Sequence, residues 1–214
     1  QLPDLSYIPR IADELNKVGA KRILDLGCGS GWLAVYLARQ GFDCYCLDLP
    51  GYGRSERPPQ MDQPAAQNPP FMRTPDAADC LRHVVEFVRQ RRNASKVCLL
   101  GWSWGTAICS YLTAEDSSCV ERLVLHAPVW DRSASGPSVI HVDGELGAYR
   151  TVTREATRKR RQGGLTESQK DIMPSSWFDT WWQATAALDE QGQGESIRAP
   201  NGVVQDGIEF WNAG

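Results

Sequence analysis

The alternation of short apolar runs with longer segments of helical periodicity constrains the fold more than any other feature of this sequence. The apolar runs lie at 21–26 (KRILDL), 43–49 (DCYCLDL), 96–100 (KVCLL) and 121–127 (ERLVLHA). Helical patterns fill the intervals at 32–41, 74–92 and 103–115. Strand-length runs separated by helices predict parallel strands joined by right-handed crossovers. We therefore expect an α/β fold, a parallel sheet with flanking helices.

The segment 74–92 carries the clearest helix signals. Thr74 stands at the expected N-cap, Pro75 follows in the first turn, aspartates lie near the positive end and arginines near the negative end. The stretch before it, from Pro50 to Pro70, is polar and rich in proline, which predicts a long loop. An opening helix is predicted over 4–17 from apolar residues at helical spacing.

After Pro128 the pattern changes. Residues 132–214 show no strand-like run, but they contain helical candidates at 145–161 and 175–189 and the aromatic clusters WFDTWW and EFW. We expect an α/β core over 1–131 and a helical cap over 132–214. The basic run RKRR (158–161) is followed by two glycines, as expected for cations at a helix C-terminus, and we prefer this interpretation to a nuclear-import or phosphate-binding patch.

Composition favours small-molecule chemistry. The chain has 214 residues and a net charge of -3, which gives no electrostatic reason to expect a nucleic-acid or membrane partner. No run approaches the ~20 apolar residues of a membrane span, and the N-terminal residues lack the basic-then-apolar pattern of a signal peptide. Seven cysteines lie in apolar segments without zinc spacing, which predicts buried thiols, no metal and a cytoplasmic location. The ends of the chain suggest a fragment, and the oligomeric state stays open.

The sequence GWSWG (101–105) lies between the third predicted strand and the helix after it. This is the context of a G-x-S-x-G nucleophile elbow, in which small flanking residues allow a tight, strained turn. Ser103 would stand above the edge of the sheet. The N–H of Trp104 would face an oxyanion at the positive end of the following helix.

A second motif, DLPGYGRS (48–55), follows the second predicted strand. With this loop and the serine elbow, residues of about 41–214 resemble the α/β-hydrolase superfamily of esterases, lipases and carbon–carbon bond hydrolases. The resemblance implies Ser103 as nucleophile and the Trp104 amide as oxyanion donor. It also implies an acid and then a histidine later in the chain.

The rest of the implied triad is incomplete in this sequence. Asp131 lies where some members of the family place the acid, although capping of a turn beside Ser133 is the competing interpretation. His83 and His126 are expected to pack against the core, and His141 lies in the cap. Nothing resembles the last strands of the family's core, after which its histidine follows.

The segment ILDLGCGSG (23–31) resembles the first motif of SAM-dependent methyltransferases, and that resemblance covers about residues 1–48. It implies Gly27, Gly29 and Gly31 as contacts to S-adenosylmethionine and Asp48, 17 residues after Gly31, as the ligand of its ribose hydroxyls. Beyond Asp48 the methyltransferase pattern stops, which places a junction near 41–48. Alternatively, the glycines serve only a tight turn and close helix packing.

Together these patterns predict a serine hydrolase that uses no cofactor and acts on a small apolar or aromatic carbonyl substrate. Its pocket is expected to be lined by tryptophans, namely Trp102, Trp104, Trp177, Trp181 and Trp182. Two alternatives stay open: a SAM-dependent methyltransferase and a non-catalytic binding module.

Overall fold

The computed structural model describes residues 13, 15–17, 19, 22–26, 32–128, 144–162, 166 and 175–211. Of the predicted opening helix, residues 13 and 15–17 are helical, and the remainder lies outside the described residues. None of the helices in these ranges has the length and apolar character that a bilayer crossing requires.

A four-stranded parallel sheet forms the centre of the fold. Its strands are β1 (Arg22–Leu26), β2 (Asp43–Leu47), β3 (Val97–Trp102) and β4 (Val120–His126). They lie in the order β2-β1-β3-β4, with every neighbouring pair parallel. The predicted parallel sheet is confirmed. The strand order reverses between β1 and β3, and such sheets bind ligands at the carboxyl ends of the strands on either side of that point.

Three helices cover the two faces of the sheet. They are α1 (Trp32–Arg39), α2 (Thr74–Arg92) and α3 (Trp104–Glu115). On one face Leu24 and Leu99 pack with the apolar sides of α2 and α3. On the other, Ile23 and Leu100 pack with α1. Consecutive strand residues thus bury opposite faces, as the period of two in a β-strand requires.

The start of α2 differs from its prediction. Thr74 is the first helical residue rather than the N-cap, and the Asp76 carboxylate accepts a hydrogen bond from the Arg73 N–H at 2.9 Å. The Thr74 N–H and hydroxyl both donate to the buried carboxylate of Asp206, at 2.7 and 2.6 Å. The threonine therefore joins the helix to the C-terminal segment instead of capping it.

The segment 144–211 combines strands with helices, so the prediction that it lacks strands is wrong. It contains β5 (Tyr149–Thr153), α4 (Arg154–Gln162), α5 (Ser175–Ala186), β6 (Ser196–Pro200) and α6 (Gly202–Asp206). Because β5 and β6 form an antiparallel pair, the helix predicted over 145–161 begins only at Arg154. Each strand is five residues long and pairs with the other one, which is distant in sequence. No local sequence pattern therefore indicates either strand. The helix predicted over 175–189 is confirmed over 175–186.

The long loop after β2 is confirmed and is held between the sheet and the C-terminal segment. It contains two short 3-10 turns, Pro59–Met61 and Ala65–Gln67. The Ala65 carbonyl accepts a hydrogen bond from the Ala148 N–H at 2.9 Å, and a Cβ on Gly147 would lie 2.3 Å from the same oxygen. The loop backbone is therefore fixed by direct contact with residues just before β5.

An ion pair between Asp189 and Arg198 is buried beneath this loop. The two side chains are 1% and 9% exposed, and Arg198 Nη2 lies 2.7 Å from Asp189 Oδ1. Burial alone would raise the pKa of the Asp189 carboxyl, but the hydrogen bonds and charge of Arg198 outweigh burial and hold that pKa below its ordinary value. The folded state therefore favours the ionised carboxylate.

We predict that Asp189→Asn lowers the free energy of unfolding at pH 7 by about 3–5 kcal/mol, because Arg198 is left buried without its charge partner. The stabilisation from an ionised Asp189 is complete above the unfolded-state pKa of about 3.9 and is lost as pH falls through the lower folded-state pKa. Urea unfolding across pH should show the difference between wild type and variant narrowing below about pH 4.

The control is Asp62→Asn, because the exposed Asp62 carboxylate lies 3.8 Å from the same guanidinium. This variant should change stability little at any pH. A gap between wild type and Asp189→Asn that is independent of pH would contradict the assignment.

Candidate active site

Ser103 occupies a strained bend between β3 and α3. Its backbone angles are φ 53° and ψ -119°, a region that residues other than glycine rarely adopt, and its side chain is exposed. The Ser103 N–H donates to the carbonyl of His126 at 3.1 Å, and its own carbonyl accepts from the Thr106 N–H at 2.9 Å and from the Thr106 hydroxyl. These bonds hold the bend, and the predicted strained turn is confirmed.

Gly101 makes this bend possible. A Cβ at this position would lie 2.4 Å from the carbonyl oxygen of Gly105 and 2.6 Å from its carbonyl carbon. The backbone of β3 and the first turn of α3 thus approach each other more closely than any side chain permits. The helix therefore begins directly after Ser103.

The amino end of α3 lies beside the Ser103 side chain. Trp104 is the first residue of the helix, so its N–H is one of the amide groups that have no partner within the helix. Partial positive charge accumulates at this end of a helix. An oxygen that became negative next to Ser103 would be stabilised there.

A cavity of about 740 Å³ opens at Ser103. The surrounding side chains are mainly apolar and include Trp102, Trp104, Ile108, Trp181 and Leu188. The Trp104 ring is held in place, since its Nε1 donates to Thr74 Oγ1 at 3.0 Å and its centroid lies 6.3 Å from that of Tyr52. The core and the C-terminal segment therefore enclose the cavity together.

Two of the five predicted pocket tryptophans lie elsewhere. Trp177, in the first turn of α5, is 64% exposed and does not reach the cavity. Trp182 is 1% exposed, stacks on Phe178 and donates from Nε1 to the Gly194 carbonyl at 2.7 Å. Neighbouring residues of a helix point about 100° apart, so Trp181 faces the serine while Trp182 faces the packing core. Trp182 instead lines a smaller adjoining cavity.

The predicted acid and one histidine, Asp131 and His141, lie outside the described residues. His83 is exposed on α2, so the prediction that it packs against the core is wrong; its Nδ1 lies 2.7 Å from the Asp79 carbonyl. His126 packs edge-on to Trp102, with ring centroids 4.8 Å apart, and burial lowers its pKa. His126 contacts Ser103 through the backbone, since its carbonyl accepts the hydrogen bond from the Ser103 N–H.

Asp48 lies at the end of β2, where the methyltransferase resemblance places a ribose ligand. Its carboxylate accepts the Arg54 N–H at 3.0 Å, and a Cβ on Gly53 would lie 2.3 Å from its Cγ. Asp48 thus shapes the loop 48–55 and also lines the serine cavity. Gly27, Gly29 and Gly31 lie outside the described residues. In the part of the chain that the structure describes, no cluster of His, Cys, Asp or Glu could hold a metal ion.

Sequence reasoning missed Tyr52 and Arg161, which both line the cavity. Tyr52 is packed below Trp104, and burial raises its pKa although the nearby charge of Arg150 opposes this. The motif DLPGYGRS contained the signal for Tyr52, an aromatic residue between two loop glycines. Arg161 belongs to RKRR, for which the sequence favours the helix-dipole interpretation over a nuclear-import or phosphate-binding patch.

We predict that Gly101→Ala lowers the free energy of unfolding by about 1–3 kcal/mol or more, because the new methyl group would overlap the backbone of α3. Urea unfolding measures the change. Gly192→Ala is the matched control, since its Cβ would meet its closest neighbour at an ordinary 3.4 Å. Equal stability of the two variants would show that the close approach of β3 to α3 is not required.

Comparison with known proteins agrees with this architecture. A family model described as the alpha/beta hydrolase fold matches residues 27–213. A protein named as a lipase (lip1) of Acinetobacter baumannii has a solved structure with 12% identity and a TM-score of 0.50, covering 100% of this chain and 74% of that one. A protein named as a CIB-like hydrolase of Thermoplasma acidophilum shows 18% identity and a TM-score of 0.35 over 52% of each chain.

A protein named as a methyltransferase of Geobacillus sp. (strain WCH70) is 48% identical over 44 residues, which are 21% of this chain. The chain spans only 18% of that curated relative. By contrast, the hydrolase family model spans most of the chain, including the serine bend and the cavity around it. The chain belongs to the α/β-hydrolase family.

Proposed function

We propose that the protein is a serine hydrolase in which Ser103 attacks the carbonyl carbon of an ester or a related substrate. One observation carries the proposal: Ser103 is exposed, strained and placed between the end of β3 and the amino end of α3, where the cavity opens. Strain of this kind costs about 1–3 kcal/mol and is found mainly at functional sites.

The chemistry follows from this arrangement. Ser103 Oγ forms a bond to the carbonyl carbon and passes its proton to a base, and the carbonyl oxygen becomes negative next to the Trp104 N–H. The base then gives this proton to the leaving group, an alcohol or a carbon group, as its bond to the carbonyl carbon breaks and an acyl-enzyme remains. Water, which loses a proton to the same base, attacks the acyl carbon and releases the acid, and Ser103 Oγ regains a proton. We propose Asp131 as the acid that orients the base. No cofactor takes part in these steps, and we expect the reaction to take place in the cytoplasm.

The cavity walls support an apolar or aromatic acyl group. Trp102, Trp104 and Trp181 supply large flat surfaces, and Ile108 and Leu188 complete the lining. A volume of about 740 Å³ lies within the usual range for pockets that bind small molecules. Short p-nitrophenyl esters are therefore suitable probes.

We predict that a fluorophosphonate probe labels the wild-type protein and not Ser103→Ala, because only an activated hydroxyl attacks phosphorus. Intact-protein mass spectrometry measures the adduct, and hydrolysis of p-nitrophenyl butyrate should disappear in the same variant. Ser117→Ala serves as the control, since Ser117 is exposed and distant in sequence from the bend. Labelling that persists in Ser103→Ala, or no labelling of the folded wild type, would overturn the assignment. The second result would favour a non-catalytic binding module.

A SAM-dependent methyltransferase is a second candidate, which the short match of 48% identity favours. In this alternative Asp48 would accept hydrogen bonds from the ribose hydroxyls. The Asp48 carboxylate already accepts the Arg54 N–H and supports the loop beside the serine cavity, which favours the hydrolase.

We predict that S-adenosylmethionine does not raise the thermal unfolding midpoint. A bound ligand at about 100 times its Kd would stabilise the protein by about 2.7 kcal/mol. Differential scanning fluorimetry with S-adenosylmethionine, and with ATP as a control for adenine binding, measures the effect. A stabilisation that Asp48→Ala removes would support the methyltransferase instead.

A further inference from the structure

A second, smaller cavity adjoins the one that contains Ser103. Its volume is about 240 Å³, which suits a small charged group and a few atoms next to it rather than a whole substrate. The two cavities share six lining residues: Tyr52, Gly53, Arg161, Trp181, Thr185 and Leu188. A ligand that fills the larger cavity could therefore extend into the smaller one.

Positive charge dominates the walls of the smaller cavity. Five arginines line it, and no acidic residue does. One of them, Arg198, is neutralised by Asp189. The other four, Arg57, Arg150, Arg160 and Arg161, form no salt bridge within the residues that the structure describes, although the charge of Arg57 helps to lower the pKa of Asp189. Four guanidinium groups around one small space produce a strong attraction for an anion.

Two buried hydrogen-bond donors in the same walls have no partner in the described residues. They are the hydroxyl of Thr157, whose residue is 3% exposed, and the Nε–H of Arg57. Arg57 donates from its other nitrogens to the carbonyls of Gly53, Ser55 and Leu188. Buried polar atoms are nearly always hydrogen-bonded, so an acceptor bound in this cavity would be offered two donors that have no other partner in the described residues.

Thr157 differs in this respect from other threonines in helices of this protein. The hydroxyls of Thr113, Thr180 and Thr185 each donate to the carbonyl four residues earlier. Thr157 lies in α4 with Thr153 at the equivalent position, yet it makes no such bond. Its hydroxyl therefore has no bond within the described residues that an incoming acceptor would have to break.

Arg160 and Arg161 extend the basic wall towards the serine. The Arg161 guanidinium lies 4.1 Å from the centroid of the Trp181 ring, which holds it over the shared boundary of the two cavities. Burial and the adjacent charge of Arg160 lower the pKa of Arg161. An anion in the cavity would relieve this repulsion.

We propose that the smaller cavity binds the anionic end, a carboxylate or a phosphate, of the substrate whose carbonyl group Ser103 attacks. The assignment of this anion to the substrate rests on the proposed function, whereas the anion site itself does not. The substrate then has two ends, an apolar part beside the tryptophans and a charged group among Arg57, Arg150, Thr157 and Arg161.

Binding without chemistry tests the anion site. Glutarate and inorganic phosphate are titrated calorimetrically into the Ser103→Ala protein at low salt, and the tighter ligand identifies the preferred anion. Thr157→Val in the same background should weaken that ligand about tenfold or more, because a charged acceptor loses a hydrogen bond. The apo protein should be as stable as before, since valine has the same shape and removes an unsatisfied hydroxyl.

Lys159→Gln is the matched control, because Lys159 belongs to the same basic run but does not line the cavity. Lys159→Gln should leave anion binding unchanged, whereas Arg160→Gln should weaken it. Arg160→Gln thus tests the site even if the Thr157→Val variant folds poorly. If Arg160→Gln and Lys159→Gln weakened anion binding equally, the anion would be attracted by the general positive charge of the surface and not bound in the cavity. This result would overturn the proposal. Absence of binding by both anions would overturn it as well.

Hydrolysis tests the link to Ser103. In the otherwise wild-type enzyme, kcat/KM for the p-nitrophenyl monoester of glutarate should exceed that for p-nitrophenyl pentanoate, and Thr157→Val should remove most of this preference while sparing the neutral ester. If the protein bound the anion but hydrolysed neither ester, the proposed serine hydrolase function would be contradicted, whereas the proposed anion site would still be supported. Hydrolysis without preference for the charged ester would contradict the substrate assignment alone.

Discussion

The contact between the backbone of Gly101 and that of Gly105 is the constraint on which the site depends. Because the strand and the helix approach so closely, the chain reverses within a single residue, and Ser103 takes up a conformation that is unfavourable for any side chain. The same contact places the first free amide of α3 beside the serine hydroxyl. The position of the Ser103 hydroxyl and the positive potential beside it thus come from one steric feature of the backbone.

The core could be predicted from sequence because its signals are local. The runs of β1 to β4, the charges of α2 and the glycines around Ser103 each act within a few residues, and the bounds of these elements agree with the prediction to within one or two positions. Strands β5 and β6 could not be predicted, since five-residue strands separated by more than 40 positions are stabilised only by each other.

The same distinction separates the site residues that were found from those that were missed. Ser103 and Trp104 belong to a contiguous motif, and both lie where the motif predicts. Which tryptophan faces the cavity depends on the rotation of α5 against β6, so Trp177 and Trp181 could not be told apart from spacing. The position of Arg161 depends on how α4 packs against α5, where its guanidinium contacts the Trp181 ring, and a helix-dipole argument contains no such information.

Tyr52 forms part of the boundary between the two cavities, and its hydroxyl donates to the carbonyl of Pro200 at 3.3 Å. This bond joins the loop after β2 to β6, so the boundary is anchored from both sides. A boundary of fixed position sets the distance between the bond that is cleaved and the charged end of a ligand. Under the proposed function, such an enzyme would distinguish homologous substrates by the number of atoms between their two ends rather than by the identity of either end.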